Sequence, residues 1–145
     1  MPLWATTTSS NVGSETKVDG SPVTEADRAA ERAIRETLRA AYPDHGLLGE
    51  EYGEDEAGET GAPKWIVDPI DGTISFSRGI PLFGTLIALT LEGETVVGVI
   101  DLPALGERYV GVRGGGCRRN GTLVRCSEAA DLSRAFVSTG DPICF

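Results

Sequence analysis

Two short apolar runs that end in acids constrain this chain more than any other feature. Gly46-Leu47-Leu48-Gly49 delivers Glu50 and Glu51, and Trp65-Ile66-Val67 delivers Asp68-Pro69-Ile70-Asp71. Runs this short, bounded by turn residues, read as buried strands rather than helices. Pro69 biases Asp68 toward an extended backbone, which suits a strand terminus. Taken alone, Asp-Pro-x-Asp-Gly is usually a surface turn, and adjacent glutamates are usually a solvated face. Two strand ends that both carry carboxylates, preceded by a helix bearing Asp27, point instead to acids gathered at one cleft.

The elements around these runs follow from periodicity and turn chemistry. Thr24 opens the clearest helix: it can cap the first turn, Glu25 and Asp27 favour the positive end, and Pro43 follows the last turn. Ala26, Ala30, Ala33, Ile34, Leu38 and Ala41 share one face at spacings of three and four. Arg28, Glu31, Arg32, Arg35 and Arg39 fall opposite and are expected to be a solvated surface. Residues 52–64 read as an exposed loop. Strands are expected at about 84–92, 95–102 and 107–112, separated by Glu92-Gly93-Glu94 and by Pro103-Ala104-Leu105-Gly106. Gly114-Gly115-Gly116 breaks the pattern, Asn120-Gly121 is a hairpin turn, and a further strand begins at Ala135. His45 reads as a polar residue in the turn between helix and strand. The expected fold is α+β, with one or two N-terminal helices packed on a large, mostly antiparallel sheet.

With 145 residues the chain suits one domain with a real core. Residues 1–16 are expected to form a loose arm or a helix remnant, residues 17–134 the metal-binding domain, and residues 135–145 the start of another subdomain. The formal charge of −9 argues against a nucleic-acid partner, which needs clustered Lys and Arg. It also repels an anionic small substrate unless cations neutralise the acids. Cys117, Cys126 and Cys144 fit no zinc spacing and are odd in number, which favours free thiols in a reducing cytoplasm. The first residues lack the basic start and apolar core of a signal peptide, and no apolar run is long enough to span a membrane. A cytoplasmic protein with no membrane partner is expected.

The chemistry these acids support is specific. Magnesium takes six oxygens and is usually held by a few carboxylates plus water and substrate phosphate. Asp68 and Asp71 can point into one cleft, with the Ile70 carbonyl as a further oxygen. Gly72-Thr73 would open a helix or turn whose free N–H groups can hold a phosphate. Two metals sharing a carboxylate can clamp the attacking and leaving oxygens of a displacement.

Val23-Thr24-Glu25-Ala26-Asp27, then Gly49-Glu50-Glu51, then Trp65-Ile-Val-Asp-Pro-Ile-Asp-Gly-Thr73 resembles the inositol monophosphatase family of lithium-sensitive, magnesium-dependent phosphatases. The resemblance runs from about Lys17 to the C-terminus. Ser75 through Leu89 looks most like the histidinol-phosphate phosphatase branch. The fold this implies is half of the family's layered sandwich. The implied activity is magnesium-dependent hydrolysis of a small phosphate monoester by metal-activated water, with histidinol phosphate first and an inositol or sugar phosphate as alternative.

The implied roles fall on individual residues. Glu50 and Asp68, with the Ile70 carbonyl, would bind a first magnesium. Asp68 and Asp71 would bind a second, and Glu50 would also touch a third. Thr73 and Glu50 would position the attacking water, with Asp27 orienting Thr73. Asp71 and the backbone of Gly72 and Thr73 would hold the phosphate, and Lys17 would offset negative charge. Family members are close to twice this length, and their second half supplies a Trp-Asp-x-Ala-Ala-Gly-like segment with a further metal-binding aspartate. Neither Trp4 nor Trp65 precedes an Asp, so the second site is expected to lack one ligand. A truncated product or fragment, or a minimal variant completed by homo-oligomerisation, is therefore expected. Magnesium would still bind, while turnover would be weak or absent. The rival expectation is a non-catalytic metal-binding or self-associating domain with Phe136, Val137, Ile143 and Phe145 on its exposed edge.

Overall fold

Thr24 and Asp27 start the long helix by satisfying each other's backbone. The Thr24 side chain accepts from the Asp27 N–H, and the Asp27 carboxylate accepts from the Thr24 N–H, a capping box. The computed structural model describes residues 14–16, 22–55, 61–128 and 130–136. Strands β1 (Ser14–Thr16) and β2 (Pro22–Thr24) pair antiparallel and lead into helix α1 (Glu25–Ala41). The end of the predicted loose arm is thus a strand, because β2 offers it a backbone ladder. The remainder of the arm, and Lys17, lie outside the described residues.

After α1 come β3 (Gly46–Gly49), β4 (Gly53–Asp55) and β5 (Lys64–Asp71), then the short helix α2 (Thr73–Ser77). An antiparallel run follows: β6 (Gly84–Leu91), β7 (Glu94–Leu102), β8 (Glu107–Val112), β9 (Gly116–Arg119) and β10 (Thr122–Val124). These form one eight-stranded sheet in the order β10-β9-β8-β7-β6-β5-β3-β4. Every pairing is antiparallel except β3 with β5. The expected α+β architecture is therefore present. The Asn120-Gly121 turn closes its hairpin with both residues at positive φ, as a tight hairpin requires.

Three local expectations need correction. β4 lies inside the predicted loop 52–64. Gly53 at φ +68° turns the chain back onto β3, and its acids are tolerated because an edge strand faces water. Asp55 pairs with Arg39, and Glu54 with Lys64. β5 does not stop at Asp68 but continues through Pro69 to Asp71. Its partner residues shift from Leu86 opposite Asp68 to Gly84 opposite Asp71, so β5 carries one extra residue in a bulge. A bulge is where a sheet accepts a proline that has no N–H to donate. At the C-terminal end, a 3-10 helix (Leu132–Arg134) precedes Ala135 and Phe136, which are irregular. The rest of the strand predicted from Ala135, with Val137, Ile143, Cys144 and Phe145, lies outside the described residues.

The buried face of α1 differs most from expectation. Asp27, Glu31 and Arg35, spaced four apart, are buried at 1%, 0% and 6% exposure, while Ala33 and Ala41 are exposed. The stripe expected to face water is partly the stripe that meets the sheet. It packs against β5, whose Val67 is buried, as is Leu47 on β3. Leu48, Ile66 and Ile100 point to the other face of the sheet and remain exposed. No helix among the described residues is long and apolar enough to cross a membrane. His45 stacks on Tyr42 at 5.0 Å between ring centroids and lies 6.1 Å from Trp65.

Candidate metal centre

The parallel pairing of β3 with β5 brings the two acidic strand ends together. Gly49 lies opposite Val67, and the Glu50 N–H donates to the Val67 carbonyl at 3.1 Å. The next residues on the two strands are Glu50 and Asp68, so their carboxyl groups meet at the same end of the sheet. They approach within hydrogen-bonding reach.

Asp68 records the consequence. Its pKa is pushed up to about 7, first by burial, then by the charge of Glu50 and a hydrogen bond with it, and then by the charge of Asp71. The Ile70 N–H donates to it and pulls in the opposite direction. Its Oδ1 atom is buried with no hydrogen-bond partner. An unpaired carboxylate oxygen beside two further acids costs free energy unless a cation or a proton compensates. Among the described residues no three His, Cys, Asp or Glu side chains converge tightly enough to form a ready-made cage. The fit is instead to a hard cation that takes two or three protein oxygens and fills its shell with water or phosphate. The oxygen-only donor set and the orphaned Oδ1 suit such an ion.

Beside this pair, α2 begins under strict backbone control. Gly72 caps it at φ +86°, and a Cβ there would stand 2.9 Å from the Leu82 carbonyl oxygen. Only glycine satisfies both conditions. Thr73 then places its hydroxyl 3.3 Å from Asp27 Oδ1 and 3.2 Å from the Ile70 carbonyl oxygen. One proton serves two acceptors. Asp27 is held in turn by Thr24, whose N–H donates to Asp27 Oδ2 at 2.7 Å and whose hydroxyl donates to the same oxygen. The Thr85 hydroxyl donates to the Pro69 carbonyl at 2.8 Å and fastens the bulge from the neighbouring strand.

The structure thus brings Asp27, Glu50, Asp68, Ile70, Gly72 and Thr73 into one region. Asp71 is exposed, and it acts on Asp68 through its charge. Sequence reasoning missed Glu31 and Arg35. Glu31 Oε2 accepts from the Glu51 N–H at 2.7 Å, and Oε1 accepts from the Tyr52 N–H at 3.3 Å and from Arg35 Nε at 2.8 Å. Their spacing from Asp27 on the same helix face was the available signal.

The model of the inositol monophosphatase family matches residues 4–141. A histidinol-phosphatase of Chlorobaculum parvum is 50% identical over 121 residues, covering 83% of this chain and 46% of that protein. An inositol-1-monophosphatase of Rhizobium meliloti is 48% identical over 120 residues, covering 83% and 45%. The crystal structure of the extragenic suppressor protein suhB from Bartonella henselae superposes with a TM-score of 0.76 at 39% identity, covering 81% of this chain and 46% of that one. The chain spans about half the length of the curated relatives it matches. The family match across nearly all of the sequence, joined to the shared fold, shows that this chain belongs to the inositol monophosphatase family.

Proposed function

We propose that this chain carries the magnesium-binding and water-positioning part of a phosphomonoester hydrolase. The observation that supports it most is the Glu50–Asp68 pair with its unpartnered buried oxygen, set beside the Thr73–Asp27 hydrogen bond. Glu50, Asp68 and the Ile70 carbonyl would hold one ion, Asp68 and Asp71 a second, and Glu50 would touch a third. A divalent cation there supplies positive charge to the phosphate and acidifies water. Thr73 donates its proton to Asp27, which leaves a lone pair on Oγ1 to accept a hydrogen bond from a water, and Glu50 accepts a second. Asp71, through its bound ion, and the backbone N–H groups of Gly72 and Thr73 would hold the phosphate. Lys17, by the family resemblance alone, would offset negative charge.

The substrate proposed is a small phosphate monoester, histidinol phosphate first and inositol or sugar phosphates next. The 50% identity to a histidinol-phosphatase and 48% to an inositol-1-monophosphatase support both. Phosphate release from a panel of these esters, with and without magnesium, tests the reading. The expected result is magnesium-dependent release, abolished by Asp68→Asn. Release indifferent to both magnesium and Asp68 would overturn it.

The open face bearing Leu48, Ile66 and Ile100 favours a second property, self-association into a homo-oligomer. A soluble cytoplasmic setting without nucleic-acid partners accords with the acidic charge.

A further inference from the structure

The turn that presents Glu50 is short. It spans Glu50 to Tyr52 between β3 and β4, and Gly53 follows at positive φ. The Glu50 N–H is fixed by Val67 on β5. The next two N–H groups, of Glu51 and Tyr52, point toward α1. Glu31 is the group that receives them: both of its carboxylate oxygens are used, one on each N–H, and the residue is 0% exposed. Arg35 neutralises it through Nε at 2.8 Å and also donates through Nη2 to the Gly53 carbonyl. The guanidinium lies 5.9 Å from the centroid of the Tyr52 ring. One buried ion pair therefore engages every residue from Glu51 to Gly53.

Gly49 shows that the carboxylate is fitted against the turn and not merely near it. A Cβ at Gly49 would stand 1.8 Å from Glu31 Oε1, so the strand leading to Glu50 is shaped around that oxygen. A buried Glu–Arg pair gives little net stability compared with well-packed apolar residues of the same volume. Stability alone therefore does not account for it, whereas directing three backbone groups beside a candidate metal ligand does.

We propose that Glu31, held by Arg35, is a positioning residue that sets the location of Glu50 in the metal centre. The proposal rests on the reading of Glu50 and Asp68 as magnesium ligands. Partners that orient metal ligands from behind typically contribute about 10- to 100-fold in metal affinity. Calorimetric titration of magnesium into the folded chain tests this, with Glu31→Gln, Arg35→Lys and Asp68→Asn alongside the unaltered protein. Glutamine keeps the shape of Glu31 but replaces one acceptor oxygen by a donor, so it cannot serve both N–H groups and Arg35. Each variant is titrated below its melting transition, checked by circular dichroism, and amide exchange is followed at Glu51 and Tyr52.

The expected result for Glu31→Gln is magnesium binding weakened about 10- to 100-fold, with faster exchange at the two amides. Arg35→Lys, which keeps the charge but loses the guanidinium fork, should weaken binding less and serves if Glu31→Gln does not fold. Unchanged affinity in the folded variants, while Asp68→Asn abolishes binding, would overturn the positioning role and leave the metal centre standing. Absence of magnesium binding by the unaltered protein would overturn the metal centre and the positioning role together.

Discussion

At the scale of single residues, Asp68 carries the sharpest consequence. Its ordinary pKa of 3.8 is raised to about 7 in the folded chain by burial and by Glu50. The folded state therefore holds a proton that the unfolded state has released between these values, and stability falls as pH rises through that window. Asp68 should lower the urea midpoint of the metal-free protein from pH 4 to 7, and Asp68→Asn should remove that part of the slope. Because protons and cations compete for the same carboxylate, magnesium affinity should rise over the same range. Gly72 gives a second prediction. Gly72→Ala forces an L residue into the left-handed region, at about 1–2 kcal/mol, with a backbone oxygen 2.9 Å from the new Cβ. The urea midpoint should fall by at least that equivalent, and an unchanged midpoint would show that the α2 entry is looser than this geometry.

At the scale of elements, α1 separates two kinds of arginine that look alike in sequence. Arg35 is buried against Glu31, whereas Arg32 reaches Glu25 and Tyr52 on the surface. Arg35→Ala strands a buried carboxylate and should cost about 3–5 kcal/mol. Arg32→Ala should leave the thermal midpoint nearly unchanged, because an exposed pair is solvated and screened by salt. Equal effects of the two substitutions would contradict the burial of Glu31. Periodicity placed α1 correctly from Thr24 to the residues before Pro43, but it assigned the faces by apolar character alone. The stripe Asp27, Glu31, Arg35 meets the sheet because the turn after β3 offers N–H groups that only an acceptor can satisfy.

At the scale of the whole molecule, α1 packs on one face of the sheet at β5, and Leu48, Ile66 and Ile100 lie exposed on the other. If that face drives self-association, light scattering should give a mass above that of one chain. The mass should rise with salt, which screens the repulsion between copies carrying −9 each. Ile66→Glu should restore a monomer. A single-chain mass at every concentration and salt would rule this out.

Much of the molecule was legible before any fold was known. The capped helix, the strands from Gly84 to Val112 and the Asn120-Gly121 hairpin all follow from patterns spanning a few residues. Capping, alternation and turn chemistry act over such distances, so the sequence alone determines them. It did not determine that β5 runs on through Pro69, that residues 53–55 form an edge strand, or that Glu31 and Arg35 are buried. Those depend on partners far along the chain: β6 to take up the bulge, β3 to receive the edge, and the turn at Glu51 to accept a buried carboxylate. The meeting of Glu50 with Asp68 is of the same kind. It needs the parallel register of Gly49 with Val67, and only the tertiary structure sets a register between strands separated by a loop.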